Sequence, residues 1–458
     1  MTKPVHQNTE QRLSQLTDII ESGSLFQLQG MINAMHPAEI AHLLESSPPA
    51  RRSIIWELID PENEGETLIE LGEEVRASLV DEMASGELVK AVKDLDVDDI
   101  VDFLQSLPNE LIEETLAGMD RQQRQRVQVA LAYDEDTAGG MMDTQVITIR
   151  AKVSVDVVLR YLRMQEELPD HTDTLIIINK YGKYKGALSL ADLLTSQPDE
   201  KIQNILDDEY PAIPADMPSN EVASLFEDRD LITAPVINNS GILLGRITID
   251  DVVDVIRDET EHSMMGMAGL NEEEDLFAPV ISSSKRRALW LGTNLLTAFL
   301  ASWVIKQFTD TIESAIALVA LMSIVPSMGG IAGSQTLTLV IRGLALGQIV
   351  KGNTRSLINK EMLIGLINGL IWAIVVFIIS IVIFNDTGIG IVVAIAMLLN
   401  LLIAPLTGVI LPIVLRKLGI DPALAGSVLL TTVTDVIGYA AVLGLATLLL
   451  PYLRTVFA

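Results

Sequence analysis

A carboxylate stands in the middle of an apolar run near the end of the chain. Between residues 423 and 450 the only ionisable side chains are Asp435 and the weakly acidic Tyr439. A charged side chain at the centre of a bilayer costs about 2.5–3.5 kcal/mol on insertion scales, so such residues usually serve a function. Ser427, Thr431 and Asp435 are spaced four residues apart and therefore share one face of a helix. Hydroxyl and carboxylate oxygens on one face indicate a path for a hard cation, which prefers oxygen ligands.

Two other roles for Asp435 follow from its surroundings. Its carboxyl group could bond to Thr434 and the helix backbone for packing alone, or it could pass protons in a relay. A structural ion pair is disfavoured, because Arg342, at the end of another apolar run, is the one basic side chain within these runs that could approach it. Cation binding, packing and proton transfer therefore remain as alternatives.

The segment PSMGGIAGSQTLT, residues 326–338, is rich in proline, glycine and small hydroxyl residues within another apolar run. Small side chains let helices approach closely, which suggests a packing surface between helices. Glycine and proline also loosen a helix, and a broken helix that lines a pore can turn freed backbone groups towards water or an ion. Gln335 and Thr338 add side-chain oxygens to the segment and favour the second interpretation.

Charge is divided unequally along the chain. The net charge is −29 over 458 residues, yet the mean hydropathy is +0.37. Residues 1–287 contain 55 acidic and 24 basic residues, whereas residues 288–458 contain 6 and 8. An acidic soluble region therefore precedes a membrane domain, and its charge favours cations as partners and argues against nucleic acid. The absence of cysteine excludes disulfides, thiolate metal sites and cysteine nucleophiles.

Five apolar runs approach or exceed the length of about 20 residues that crosses a bilayer. They lie near residues 288–308, 314–345, 360–384, 388–415 and 423–451. Basic residues stand before the first run, between the second and third, and between the fourth and fifth; they are Lys285, Arg286, Arg287, Lys351, Arg355, Lys360, Arg416 and Lys417. The positive-inside rule then places the N-terminus and the soluble region in the cytoplasm and the C-terminus outside.

The first part of the soluble region contains a helical repeat. HPAEIAHLLESSP, residues 36–48, matches DVDDIVDFLQSLP, residues 96–108, at an offset of 60 residues. Repeated helical hairpins predict an all-α, solenoid-like domain over residues 1–133.

A second repeat follows, in which GALSLADL, residues 186–193, matches GRITIDDV, residues 245–252. Each copy follows a β-rich run and a glycine turn, and each leads into a helix. Two such units are typical of a paired cystathionine-β-synthase (CBS) module, here over 134–199 and 200–256. A connecting helix is expected over 257–284, and a transmembrane pore domain over 285–458.

The fold class predicted from these elements is multidomain: an all-α solenoid-like domain, an α/β CBS pair and an α-helical polytopic membrane domain with five transmembrane helices. With its domains in this order, the chain resembles the MgtE family of magnesium channels over essentially its full length. The segments that carry the resemblance are DEDTAGGMM (134–142), ITIDDVVDV (247–255), GGIAGSQ (329–335), LGIDPALA (418–425) and TTVTDVIG (431–438).

The resemblance implies a homodimer in the cytoplasmic (inner) membrane, with Mg²⁺ as the ion carried and no enzymatic activity. The pore aspartate of the family, which holds a hydrated Mg²⁺, corresponds to Asp435, and the glycine-rich motif corresponds to residues 329–335. The asparagine usual in that motif falls on Ile331, which shifts the expected oxygens to backbone carbonyls or to Gln335. The pore residues expected to bind the ion are Asp435, Thr431, Ser427, Gly329, Gly330 and Gln335.

The resemblance also implies acidic residues at which cytosolic Mg²⁺ binds and closes the pore. The positions that keep their acids are Asp98, Asp102, Asp230, Asp251, Asp254, Glu259 and Asp421. Other expected acids fall on Pro218, Asn220, His262 and Ser263, so Mg²⁺ sensing should use fewer sites. The aromatic positions that stack on ATP in some members fall on Thr174 and Leu231, and a nearby arginine falls on Ala191. Only Asp192 remains, and ATP binding is not expected.

The function expected is inward passage of Mg²⁺ down the membrane potential, with closure by cytosolic Mg²⁺ bound to the acidic helical and CBS domains. One alternative is a broader divalent transporter that takes Co²⁺ or Mn²⁺ and is coupled to protons or Na⁺. The other is a CBS sensor that the spans merely anchor, although an anchor needs neither Asp435 nor the glycine-rich segment. No nucleophile–base set or phosphate-binding loop supports a hydrolase or transferase.

Overall fold

The computed structural model describes residues 25–93, 95–165, 168–169, 171–270, 274–350 and 352–457. The chain forms two compact units. The first contains Met1–Glu259 and Glu273–Pro279, and the second contains Thr260–Glu272 and Val280–Ala458.

Short helices form the N-terminal part of the first unit. They are α1 (Leu25–Ile32), α2 (Pro37–Glu45), α3 (Pro49–Trp56), α4 (Pro61–Ile69), α5 (Glu73–Val80), α6 (Ser85–Ala91), α7 (Val97–Gln105), α8 (Asn109–Gly118) and α9 (Arg121–Ala130). Proline opens α2, α3 and α4, where a missing N–H costs nothing. Ile40 and Leu44 on α2 are fully buried, as are the matching Ile100 and Leu104 on α7. The helical repeat therefore reflects a shared core position.

The CBS pair follows as two three-stranded sheets with the same topology. The first contains β1 (Thr148–Ile149), β2 (Thr174–Ile178) and β3 (Tyr184–Ser189), with α10 (Val155–Met164) and α11 (Leu190–Thr195). The second contains β4 (Ile213–Pro214), β5 (Thr233–Ile237) and β6 (Leu243–Thr248), with α12 (Ser219–Arg229). In each sheet the outer two strands pair with the central one, once parallel and once antiparallel. The α/β prediction for this region is confirmed.

The hairpins of the two copies agree residue by residue. Thr174 pairs with Ser189 in the first sheet, and Thr233 pairs with Thr248 in the second. Both hairpins contain an irregularity at the same position near the end of the central strand. Gly182 and Gly241 turn the two hairpins with φ of 76° and 74°, a conformation that favours glycine.

A buried ion pair fixes the segment that precedes the first membrane helix onto the helical domain. Arg52 donates to both carboxylate oxygens of Asp275, at 2.6 and 2.7 Å, and the two side chains are 3% and 5% exposed. Arg52 Nε also donates to the carbonyl of Leu44, at the end of α2. The Asp275 amide in turn donates to Glu74 on α5 at 2.7 Å. Every charge in this contact therefore has a hydrogen-bond partner, which a buried ion pair requires.

We expect Arg52→Ala to loosen the helical domain, because it leaves Asp275 charged and buried without its main partner. The expected loss in the free energy of unfolding is about 3–5 kcal/mol. Native-state hydrogen exchange of peptides covering α2 and α3 would measure it. Arg51→Ala, one position earlier, is the matched control and should change the free energy by no more than about 0.5 kcal/mol. Equal effects of the two substitutions would contradict a special role for the Arg52–Asp275 pair.

The connecting helix, α13 (Ile249–Ala268), begins inside the second CBS copy and ends earlier than the predicted segment 257–284. Gly269 follows it with φ of 72°, which ends the helix in a left-handed turn. A Cβ atom at Gly269 would lie 1.9 Å from the Trp290 indole nitrogen, so only glycine fits this turn.

Long helices make up the second unit. They are α14 (Val280–Lys306), the short α15 (Thr309–Ser314) and α16 (Ala317–Leu321), α17 (Ile324–Ala345), α18 (Thr354–Phe384), α19 (Thr387–Lys417) and α20 (Pro422–Phe457). Among the described residues, five helical segments are long and apolar enough to cross a membrane, with α16 and α17 counted together as one. The prediction of five transmembrane helices is confirmed.

The expected break within residues 326–338 is wrong. Helix α17 runs continuously from Ile324 to Ala345, and the interruption lies just before it, at Met322 and Ser323. Pro326 does not break the helix because it occupies the first turn, where no intrahelical N–H bond is lost. The glycines instead allow close packing: a Cβ at Gly333 would lie 2.9 Å from the Leu430 side chain. The helix-packing interpretation of the segment therefore applies.

Candidate functional site

A groove between α17 and α20 brings several of the predicted pore residues together. Its lining consists of Pro326, Ser327, Gly330, Ile331, Ser334, Gln335, Thr338, Leu339, Thr431 and Asp435. One wall is the exposed face of α17, and the other carries Thr431 and Asp435 one helical turn apart on α20. Six of the lining residues carry a side-chain oxygen, so the groove offers several acceptors to a cation or to its water shell.

Helix hydrogen bonds orient the hydroxyl groups of α20. Thr431 Oγ1 donates to the carbonyl of Ser427 at 2.9 Å, and Thr434 Oγ1 donates to the carbonyl of Leu430 at 3.0 Å. Because each hydroxyl proton points back along the helix, the oxygen lone pairs are available as acceptors. Thr431 is exposed and lines the groove beside half-buried Asp435, whereas Thr434 is fully buried.

Two predicted pore residues lie outside the lining of this groove. Gly329 is buried on another face of α17, about 100° around the helix from Gly330, where its missing side chain leaves room for Asn400 on α19. Contact between Gly329 and an ion stays a prediction. Ser427 lies one turn before Thr431, and its contribution to an ion path stays a prediction.

Ser327 and Ser334 line the groove but were not predicted as site residues. Their signal was present in the sequence, because positions 327, 331, 334 and 338 recur at the spacing of one helical face. Expecting a broken helix hid this periodicity. Two buried polar residues of the spans, Glu361 and Asn400, were also missed. A search for every polar residue within the apolar runs would have found them.

Acidic side chains from α7 and the start of α13 form a second candidate site, within the first unit. Burial raises the pKa of Asp98 well above its ordinary range, and the charges of Asp251, Asp143 and Asp99 raise it further. Burial followed by the Asp250 charge raises the pKa of Asp251 to about 8. Asp98 Oδ1 is buried and has no hydrogen-bond partner among the described residues. Acids that repel one another in this way indicate a cation site.

Neighbouring carboxyl groups extend this acid cluster. Burial, with the charge of Asp96, raises the pKa of Asp99 to about 7. Asp102 keeps contact with solvent, yet crowding by protein atoms and the charge of Glu135 raise its pKa to about 7. Among the described residues, no three acidic or histidine side chains are close enough to chelate one metal ion directly. Binding of a cation by the acid cluster stays a prediction.

The other predicted regulatory residues are more dispersed. Asp254 is exposed and lies 3.3 Å from Arg257, and Glu259 is exposed further along α13. Asp230 is exposed at the end of α12, in a left-handed conformation. In the second unit, Asp421 accepts from the Ala423 amide at 2.9 Å and lies 2.8 Å from His262 Nε2.

The expected pair of acids on α13 falls on His262 and Ser263. His262 Nε2 lies 2.8 Å from a carboxylate oxygen of Asp421, close enough for a direct hydrogen bond. Regulatory roles for Asp230, Asp254, Glu259 and Asp421 stay predictions.

The nucleotide positions carry no aromatic side chain. Thr174 is buried and donates to Asp173 at 2.9 Å, and Leu231 is also buried. Asp192 accepts from the Ser189 hydroxyl at 2.7 Å at the start of α11. Weak or absent ATP binding stays a prediction.

We expect the stability of the first unit to fall as pH rises when divalent cations are absent. The pKa of Asp99 is about 7 and that of Asp251 about 8, against an ordinary value of 3.8. Between pH 4 and about 8 the folded state therefore binds more protons than the unfolded state, so the free energy of unfolding decreases with pH. Thermal unfolding of the full chain in chelator, at pH 5.5 and 8, would measure this.

The control for this pH effect is Asp99→Asn together with Asp251→Asn, which removes both of these groups and should flatten the dependence. Added Mg²⁺ at pH 8 should restore much of the lost stability in the wild type, because it binds the ionised acids. Stability that rises between pH 5.5 and 8 in chelator would contradict the repulsion among these acids.

Sequence comparisons agree with this arrangement. A model of the MgtE family, described as a divalent cation transporter, matches residues 322–445. The MgtE intracellular N domain matches residues 35–136, and the CBS domain matches residues 138–199 and 202–258. These matches cover the acid cluster and the groove between α17 and α20.

Curated relatives extend the similarity over nearly the whole chain. The chain is 26% identical to the magnesium transporter MgtE of Bacillus subtilis (strain 168) over 94% of its own length and 95% of that protein. It is 28% identical to the magnesium transporter MgtE of Thermus thermophilus over 95% of its length and 98% of that protein. A solved cytosolic domain of the Mg²⁺ channel MgtE in complex with ATP is 27% identical, covers 53% of this chain and 99% of that chain, and has a TM-score of 0.49.

The domain order, the family matches and the length of these alignments point to one group of proteins. The chain belongs to the MgtE family of divalent cation transporters.

Proposed function

We propose that this protein is a Mg²⁺ channel of the cytoplasmic membrane that admits Mg²⁺ to the cytoplasm and is closed by cytosolic Mg²⁺. The observation that carries the proposal is the groove in which Asp435 and Thr431 of α20 face the oxygen-bearing side of α17. Relatives that align over most of the chain bear the name of magnesium transporters.

The groove suits an ion that retains its water. Mg²⁺ requires near-octahedral oxygen coordination and dehydrates reluctantly, so a site with one carboxylate and several hydroxyls can hold it through its first water shell. In a homodimer, two Asp435 side chains facing each other would repel without a cation between them. A site of this kind binds firmly enough to select the ion and loosely enough to release it.

Inward flow of Mg²⁺ requires no chemical reaction catalysed by the protein. An inside-negative potential of 100 mV favours entry of a divalent ion by about 4.6 kcal/mol, twice the value for a single charge. This direction assumes that the soluble region faces the cytoplasm and the C-terminus faces outside.

Closure by cytosolic Mg²⁺ follows from the acid cluster. When Mg²⁺ is plentiful, hydrated ions between α7 and the start of α13 bridge Asp98 and Asp99 to Asp251 and hold the two elements together in the compact arrangement. When Mg²⁺ is scarce, the ionised acids repel and the two elements separate. Because α13 continues beyond Glu259 to Ala268, movement of its first turns is transmitted along a rigid helix.

Ion flux into proteoliposomes tests the proposal. Wild-type protein should carry Mg²⁺ inward under an inside-negative potential, and Mg²⁺ on the side of the soluble region should stop the flux. Equal uptake of Co²⁺ and Mn²⁺, or dependence on a proton or Na⁺ gradient, would replace the Mg²⁺ channel with a broader or coupled transporter. If no divalent ion moves, a CBS sensor anchored by its spans remains.

A further inference from the structure

One polar side chain is buried where an apolar one would fit the bilayer better. Asn400 lies in the middle of α19 and is fully buried. Its Nδ2 donates to the carbonyl of Val325 on α17 at 2.8 Å. Its Oδ1 is also buried and has no hydrogen-bond partner among the described residues. An amide that leaves one group unpaired is not the most stable choice for a packed position.

The glycine-rich helix is shaped to receive this amide. A Cβ atom at Gly329 would lie 2.2 Å from Asn400 Nδ2 and 2.8 Å from its Cγ, so any side chain there would displace the amide. Asn400 therefore occupies the space that Gly329 leaves open. The hydrogen bond to Val325 fixes α17 in the first turn after the interruption at Met322 and Ser323, where Pro326 contributes no N–H to the helix.

The first turns of α17, which Asn400 contacts from α19, also form part of the groove. Pro326 and Gly330 line the groove, directly next to Val325 and Gly329. On the α20 side, a Cβ at Gly438 would lie 2.9 Å from Pro326 Cα, so the two helices are already at their closest approach there. The start of α17 is thus held between Asn400 and the helix that carries Asp435.

We infer that Asn400 is a positioning residue for ion selectivity: its amide fixes the rotation of α17, and thereby the distance between the oxygens of α17 and Asp435. This inference rests on the proposed transport function. A directional bond to one carbonyl defines a single arrangement of the two helices, whereas an apolar side chain would allow several. The spacing across the groove determines which hydrated cation it accommodates.

Exchanging the sizes of the side chains at positions 329 and 400 separates the effect of the hydrogen bond from the effect of packing. Full-length Gly329→Ala, Asn400→Ala and the double variant are placed in proteoliposomes, and their Mg²⁺ uptake is compared with Co²⁺ and Ca²⁺ uptake. Each single variant should lose thermal stability, since the first creates a clash and the second a cavity. In the double variant the new methyl group refills the space, so stability should recover while the preference for Mg²⁺ falls about fivefold to tenfold, the effect of one hydrogen bond.

Recovery of both stability and Mg²⁺ preference in the double variant would overturn the inference, because packing alone would then suffice. Should the double variant not fold, Asn400→Leu carries the test, as it keeps the branching of the side chain at Cγ and removes the amide. The inference requires that this variant be stable and less selective, and it is wrong if selectivity is unchanged. Failure of this inference can be told apart from failure of the proposed function, because in the second case the wild type itself would carry no divalent ion.

Discussion

Asp435→Asn should reduce Mg²⁺ uptake by about 10- to 100-fold, the effect of losing about 1.5–3 kcal/mol of interaction with a charged ligand. The substitution keeps the shape of the side chain and removes its charge. Asp435 is the one ionisable residue in the lining of the groove, so nothing else there can replace the charge. Uptake under a fixed inside-negative potential, with the Mg²⁺ concentration outside varied, measures the effect.

The matched control is Glu361→Gln, another acid within the membrane domain. Glu361 is buried outside the groove and accepts from Thr336 Oγ1 at 3.0 Å, a bond that a glutamine oxygen can also accept. Its uptake should stay within about twofold of the wild type, because a retained neutral hydrogen bond changes little. If Asp435→Asn takes up Mg²⁺ as fast as the wild type, the groove is not part of the ion path. If both variants lose uptake equally, the cause is lost stability of the membrane domain.

Neutralising the acid cluster should leave the channel open at Mg²⁺ concentrations that close the wild type. In the triple variant Asp98→Asn, Asp99→Asn and Asp251→Asn, the carboxylates that bind bridging Mg²⁺ are gone, so the ions no longer hold α7 against the start of α13. We expect the Mg²⁺ concentration that halves the flux to rise about tenfold or more, the effect of about 1.4 kcal/mol or more of lost binding energy. Flux measured against Mg²⁺ on the side of the soluble region gives this value.

Asp156→Asn serves as the control for the triple variant. Asp156 is an exposed acid on α10 and forms an ion pair with Arg160 on the same helix, outside the acid cluster. Surface pairs of this kind contribute little, so its dependence on Mg²⁺ should match the wild type. A triple variant that is permanently closed would show that the neutral cluster mimics the Mg²⁺-bound state, which contradicts a role for bound ions in closure. Unchanged Mg²⁺ dependence would place the regulatory site elsewhere.

The elements that repeat could be predicted from the sequence, because a repeat fixes several positions at once. Ile40 and Leu44 align with Ile100 and Leu104, and all four are fully buried. The end of α13 was harder to predict, since sequence spacing does not reveal that Trp290 leaves no room for a side chain at Gly269, the residue whose φ of 72° ends the helix.

The candidate sites were predicted in part. The face of α20 that carries Thr431 and Asp435 follows from helical periodicity alone. The orientation of Gly329 does not follow from periodicity, because glycine is compatible with both a broken helix and close packing. Asp99 and Asp250 escaped notice, since an exposed acid and a buried one look alike in sequence and only the fold shows which of them share a space.

The matching registers of the two CBS sheets have a consequence for how regulation arose in this chain. Because the two hairpins align at a constant offset of 59 residues, equivalent side chains stand at the starts of α11 and α13. Ser189 and Asp192 have their counterparts in Thr248 and Asp251, and both acids bond to the hydroxyl three residues before them. Divergence then separated the copies: the equivalents of Asp250 and Asp254 in the first copy are uncharged, namely Ala191 and Thr195. Asp250, Asp251 and Asp254 therefore stand together at the start of α13, where the first copy has Asp192 alone.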